Sequence, residues 1–135
     1  MSISLETAEI LIRTARLKAE EIGVLVSIAV VDESGYLVSF ARMNGGRWVN
    51  VDLGIAKAAG AAAFKVDSSV MMGVFEKIPM FFDQMVATMK GRIILDHGSV
   101  VIRDQSGQVI GALAISGATA DEDEVIAAAA LQAIA

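Results

Sequence analysis

The stretch Val24-Leu25-Val26-Ser27-Ile28-Ala29-Val30-Val31-Asp32-Glu33-Ser34-Gly35-Tyr36-Leu37-Val38 decides the fold class. Residues 24–31 are apolar on both alternating faces, the pattern of a strand covered on both sides. Asp32-Glu33-Ser34-Gly35 then turns the chain, and Tyr36 to Met43 returns as a second strand. A hairpin of this kind belongs to an antiparallel sheet. The pattern recurs at Arg103-Asp104-Gln105-Ser106-Gly107-Gln108-Val109-Ile110, which joins a strand over 99–103 to one over 108–116. Two copies with unlike segments between them do not make a repeat protein.

Helices flank these hairpins. Ser4 caps a helix through Ile22, with Leu5, Ala8, Ile12, Ala15, Ala19 and Ile22 on one apolar face and Gly23 as its stop. Glu9 and Arg13 stand at i,i+4 in the favourable order. After the loop Asn44-Gly45-Gly46-Arg47-Trp48-Val49, Asn50 or Asp52 caps a helix reaching about residue 65. Its body is mostly Ala and Gly, and Gly54 and Gly60 each cost roughly 1 kcal/mol relative to Ala. Asp67-Ser68-Ser69 opens a short helix, and Pro79 opens another that ends at Gly91. Ile93 to Leu95 reads as a short strand, and Thr119 with Glu122 forms a capping box for the last helix. The result is a single α+β domain over residues 1–135, with five strands in an antiparallel sheet and helices on its faces.

Composition narrows the function classes. The chain has 135 residues, 55% apolar and 20% charged, with net charge −5 and no cysteine. That apolar content excludes disorder, and the acidic balance argues against a general nucleic-acid binder. No apolar run approaches the roughly 18 residues of a membrane span. The start lacks a basic segment followed by an apolar one, so a cytoplasmic protein is expected. The apolar excess predicts a homo-oligomer. Its subunits are expected to cover the Ala/Gly helix 53–65, the Met/Phe segment 71–89 and the Ala-rich final helix.

Three blocks carry a family resemblance: Ile28 to Val38 followed by Arg42-Met43, then Asp52-Leu53-Gly54-Ile55-Ala56-Lys57-Ala58, and Gly107 to Thr119 followed by Asp121, Glu122 and Asp123. They resemble the GlcG/HbpS-like haem-degrading family, also found as the C-terminal domain of PduO-type proteins. The resemblance implies a profilin-like fold and dimers that build tetramers or octamers. It also implies haem as a possible ligand, since some members bind haem and others are linked to haem breakdown or redox sensing. The chain departs from the family where a Pro-Gly-Gly-x-Pro-Ile segment usually enters the third strand. Here Leu95-Asp96-His97-Gly98-Ser99-Val100-Val101 lacks both prolines and carries the only histidine.

His97 is therefore the leading chemical candidate, as acid/base or as haem axial ligand; the bland alternative is a solvated turn residue. Lys57, in an Ala/Gly helix, reads as an anion holder or an exposed lysine. Asp52 is five residues away, about 140° around the helix, so it suits dipole compensation rather than pairing with Lys57. Arg42 and Arg47 flank the glycine loop, where guanidinium forks suit a carboxylate ligand or simply meet water. Trp48 reads as a pocket or interface anchor. Phe82 and Met85 read as core filler or as a pliable pocket wall. Ser116 begins the approach to a helix N-terminus, but Asp121-Glu122-Asp123-Glu124 fills its first turn, which favours capping over anion capture. No histidine follows these acids at ligand spacing, so no metal site is read.

Two functions follow. The first is a small-molecule-binding catabolic protein that needs no cofactor. It would do proton-transfer chemistry (tautomerase, isomerase or lyase) on a small carboxylate, with His97 as acid/base, Arg42 or Lys57 holding the anion, and Met43, Arg47, Trp48, Asp52, Phe82, Met85, Gly98 and Ser116 around the ligand. The alternative is a haem-binding or haem-degrading/redox-sensing module with no turnover of its own, with His97 or a methionine on the iron.

Overall fold

Ser4 starts the first helix as its sequence requires, its hydroxyl accepting from the Thr7 N–H, and α1 runs Leu5–Ile22. The computed structural model describes all 135 residues. Gly23 ends α1 in the left-handed region, its N–H returning to the Ala19 carbonyl. The chain continues as β1 Ser27–Asp32, β2 Leu37–Arg42, α2 Val49–Phe64, α3 Ser68–Phe75, α4 Pro79–Thr88, β3 Ser99–Arg103, β4 Val109–Ser116 and α5 Ala120–Gln132. Both hairpins turn through an aspartate, Asp32 and Asp104, whose carboxylate accepts from backbone N–H groups two and four residues on.

The sheet has four antiparallel strands in the order β2-β1-β4-β3. Residues of β1 and β4 alternate between two cores. Ile28, Val30, Leu113 and Ile115 pack under α1 and α5. Ala29, Val31, Ala112 and Ala114 meet Ala58, Ala61 and Ala62 of α2 on the other face. The central pair is thus doubly covered, which explains its unbroken apolar run.

The expected fifth strand is absent. Ile93 and Leu95 are buried, but the segment crosses α2 instead of joining the sheet. The Ile94 N–H donates to the Ala56 carbonyl, and the Ile94 carbonyl occupies the space a Cβ on Gly60 would need. A bare helix backbone at Gly60 offers 93–95 a closer partner than a sheet edge.

Three further expectations are corrected. The Ala/Gly helix needs no neighbouring subunit: Ala56, Ala58, Ala59, Ala61 and Ala62 are at most 6% exposed within one chain, because the helix lies directly on the sheet. Likewise α5 already buries Ile126, Ala127 and Ala130. Neither Asn50 nor Asp52 caps α2, which begins at Val49 without a side-chain cap; Asn50 turns inward and Asp52 lies exposed in the first turn. Glu9 and Arg13 form no ion pair, and the salt links on α1 are Arg16–Glu20 and Lys18–Glu21.

Candidate functional site

Where β4 runs into α5, the fold gathers most of its buried polar groups. Lys57 projects from α2 and is only 3% exposed. Its ammonium donates to the Ile115 carbonyl at 2.5 Å and meets the Asp123 carboxylate at 3.4 Å. The other oxygen of Asp123 accepts from the Ala118 N–H at 3.1 Å. Burial pushes the Asp123 carboxyl above the ordinary aspartate range, and the charge of Lys57 offsets this in part.

Gly98 makes this approach possible. It has φ +95°, and a Cβ there would stand 2.6 Å from the Asp123 Cβ and 3.3 Å from the Lys57 ammonium. Its carbonyl accepts from the Ile115 N–H, so Gly98 extends the β3–β4 ladder. Beside it the Asp96 carboxylate accepts from the His97 N–H at 2.8 Å. The His97 ring is turned away from this bond: its Nδ1 lies 3.0 Å from Glu124 Oε1, with both side chains about one-third exposed (36% and 37%). Asp96 therefore shapes the turn, and Glu124 orients the imidazole.

The acidic run that opens α5 divides its work by helical phase, since successive residues stand 100° apart. Glu122 closes the capping box with Thr119. Asp123 points into the protein at Lys57, and Glu124 reaches His97. The expected dipole role thus covers only part of the run. The sequence signal was the impossibility of four consecutive side chains sharing one face.

The other candidates do not join His97. Arg42 is exposed at the end of β2, three strand spacings or about 14 Å of backbone from the β3 edge. With Met43 it lines a shallow cavity of about 390 Å³. Arg47 lies in another of about 500 Å³, with Val24, Leu25, Gly117 and Glu122. Trp48 is 74% exposed. Phe82 and Met85 are half-buried on α4, where Phe82 packs 5.7 Å from Phe75, and neither lines a cavity. Ser116 donates to buried Asn50, a structural link. Gly98 adjoins His97, and Lys57 lies beneath it, but the Lys57 ammonium is buried against the Ile115 carbonyl and Asp123 and does not face the solvent from which a substrate would come. A proton-transfer centre built from His97, Lys57 and Arg42 is not assembled.

The family described as haem degrading protein HbpS-like matches residues 3–132. The chain belongs to the HbpS-like family. Among HbpS-like structures it resembles the PduOC–haem complex, with TM-score 0.88 and 26% identity, covering 98% of this chain and 95% of that one. It is also similar to ORFY of Klebsiella pneumoniae, with TM-score 0.82 and 28% identity, covering 97% and 89%. HbpS of Streptomyces reticuli shares the fold, with TM-score 0.87, 24% identity and coverage of 100% and 88%. The corrinoid adenosyltransferase PduO of Citrobacter freundii is 29% identical over 134 residues, which span 99% of this chain but only 39% of PduO. An uncharacterised 15.0 kDa protein of the same organism is 27% identical over 130 residues, 96% of this chain and 90% of that protein. No helix is long and apolar enough to cross a membrane.

Proposed function

We propose that this chain is a haem-binding module without turnover of its own, and that His97 is its iron ligand. The observation that carries the reading is the 3.0 Å contact between His97 Nδ1 and Glu124. When Nδ1–H donates to a carboxylate, the free lone pair lies on Nε2, the arrangement that metal-ligating histidines adopt. The ring is part-exposed, in the turn that leads into β3. The side chain that fits a haem iron here is the His97 imidazole, held by Glu124; bound at it, haem would bring redox and ligand-exchange chemistry. The likeness to the PduOC–haem complex, at 26% identity over nearly the full length of both chains, supports the ligand class.

The protein's own contribution is then positional. Asp96 fixes the turn, Glu124 fixes the tautomer and plane of the imidazole, and Gly98 lets the turn sit on the Lys57–Asp123 pair. The expectation of an iron site walled by Phe82 and Met85 is not part of this proposal, because Phe82 packs against Phe75 of α3 and neither residue of α4 lines a cavity. Haemin titration of the wild type and of His97→Ala tests the reading. A saturable Soret band at one haem per chain, lost or strongly shifted in His97→Ala, is expected. Identical bands in both proteins would remove His97 from the iron.

A further inference from the structure

The loop between β2 and α2 carries the chain's one Asn-Gly pair, Asn44-Gly45. Met43 to Gly46 form a turn, closed by the Gly46 N–H on the Met43 carbonyl at 2.9 Å. Gly45 takes its third position with φ +82°, the left-handed setting that a glycine supplies there. Both Asn44 and Gly45 are exposed. Neither is tied down. The Gly45 N–H donates to no acceptor in the chain, and the Asn44 side-chain amide has no hydrogen-bond partner.

A free glycine nitrogen next to a free asparagine amide is a nucleophile beside an electrophile. Glycine has no Cβ to obstruct the five-membered ring that joins them. The attacking nitrogen must shed its proton, and the ring-closing oxygen carries negative charge in passing, so nearby cations favour the step. Arg42 precedes the turn and has no ion-pair partner. Arg47 follows it and donates to the Gly117 carbonyl at 3.4 Å. Arg16 of α1 lines the same cavity of about 390 Å³ as Asn44 and Arg42, where Glu20, 3.8 Å from Arg16, is the one acid. Three guanidinium groups against one carboxylate also suit a new carboxylate at position 44. The other asparagine, Asn50, is held quite differently: it is 7% exposed inside α2, its Oδ1 accepts from the Ser116 hydroxyl, and Val51 follows it.

We propose that Asn44 is a spontaneous modification site, where the folded protein loses the side-chain amide and gains a carboxylate beside Arg42 and Arg47. The bond from the Gly45 nitrogen to Asn44 Cγ forms and the Cγ–Nδ2 bond breaks. Nδ2 leaves as ammonia, and the proton from the glycine nitrogen balances it. Water then opens the succinimide. Opening at Cγ leaves an aspartate, and opening at the backbone carbonyl carbon leaves an isoaspartate, with one extra carbon in the main chain of the turn. Water is the only co-reactant. The change makes the net charge of −5 one unit more negative and offsets a cation in the cavity between α1 and the end of β2. It involves neither His97 nor α5, so it stands independently of the haem reading.

Intact-mass and anion-exchange analysis tests it on wild type and Asn44→Ser, each held in mildly alkaline buffer with circular dichroism as the check that both stay folded. The wild type should accumulate a species heavier by about 1 Da and richer by one negative charge. Trypsin cuts after Arg42 and Arg47, so the mass shift should map to the peptide 43–47 and leave the peptide 48–57, which holds Asn50, unchanged. Asn44→Ser should form no such species. A folded wild type whose 43–47 peptide keeps its mass would overturn the proposal. So would a shift that maps to 48–57, or an acidic species that persists in Asn44→Ser.

Discussion

The Lys57 ammonium and the Asp123 carboxylate face each other at 3.4 Å, with side chains 3% and 5% exposed, across 66 residues of sequence. The pair ties α2 to the first turn of α5 directly beneath the His97 turn. Buried pairs of this kind hurt most when broken from one side.

Replacing Lys57 by Met leaves the Asp123 carboxylate buried without its cation. Chemical denaturation should show a loss of about 3–5 kcal/mol at neutral pH. The loss should shrink on acidification, because protonating Asp123 removes the stranded charge. Replacing both residues, Lys57→Met with Asp123→Leu, should recover a large part of the stability. A single-variant cost below about 1 kcal/mol would mean that the pair contributes little.

Two aspartates should titrate in opposite directions from the ordinary value. Burial raises Asp123, whereas the Ser106 hydroxyl bonded to Asp104 lowers that group. The folded pKa of Asp123 lies above its unfolded value. Its contribution is thus fully present below the unfolded pKa and lost as pH rises through the folded one. Asp104 behaves conversely: its contribution is present above the unfolded pKa and lost as pH falls through the lowered folded value. Carboxyl-carbon NMR titration should place the Asp123 midpoint above that of Asp104; the reverse order would refute this electrostatic assignment.

The two glycines inside α2 should respond oppositely to alanine. A Cβ at Gly54 meets only the Ser116 Cβ at 3.6 Å, an ordinary contact. Gly54→Ala should therefore stabilise by roughly 0.5–1 kcal/mol through helix propensity and unfolded-state entropy. At Gly60 the methyl would collide with the Ile94 carbonyl. Gly60→Ala should destabilise by at least about 1–3 kcal/mol, the range for a strained core. Thermal melts moving the same way for both would contradict the crossing of 93–95 over α2.

Gly98→Ala combines a left-handed φ with a clash against Asp123, whereas Gly107→Ala has a similar φ and open space around it. Gly107→Ala should cost about 1–2 kcal/mol, the handedness penalty alone. Gly98→Ala should cost more and also disturb haem binding through His97. Equal melting shifts for the two would argue against close packing at Gly98.

Much of the fold was legible because its determinants are local. Ser4, Gly23 and the Thr119–Glu122 box bracket their helices as written, and the two Asp-x-Ser-Gly turns place the hairpins. The 93–95 segment was misread as a strand because its apolar residues suit either a sheet edge or a helix surface, and only Gly60 decides between them. The candidate site was legible in part. His97 stands out as the one imidazole, but its partner Glu124 is 27 residues away, and Asp123 looked like one acid among four. Those pairings depend on the phase of α5 against the end of β4, a long-range relation that periodicity does not encode. Arg42 and Lys57 were alternative anion holders in the sequence, one beside a glycine loop and one in an Ala/Gly helix; the fold leaves Arg42 exposed at the end of β2 and buries Lys57 against Asp123.

Because His97 is the only histidine, labelling the chain with ¹⁵N-histidine gives a single-site probe of the iron. Electron–nuclear double resonance on the ferric haemin complex should show one strongly coupled ¹⁵N from the imidazole in addition to the porphyrin nitrogens. A bound haem with no ¹⁵N coupling, or no complex at stoichiometric protein, would contradict ligation by His97.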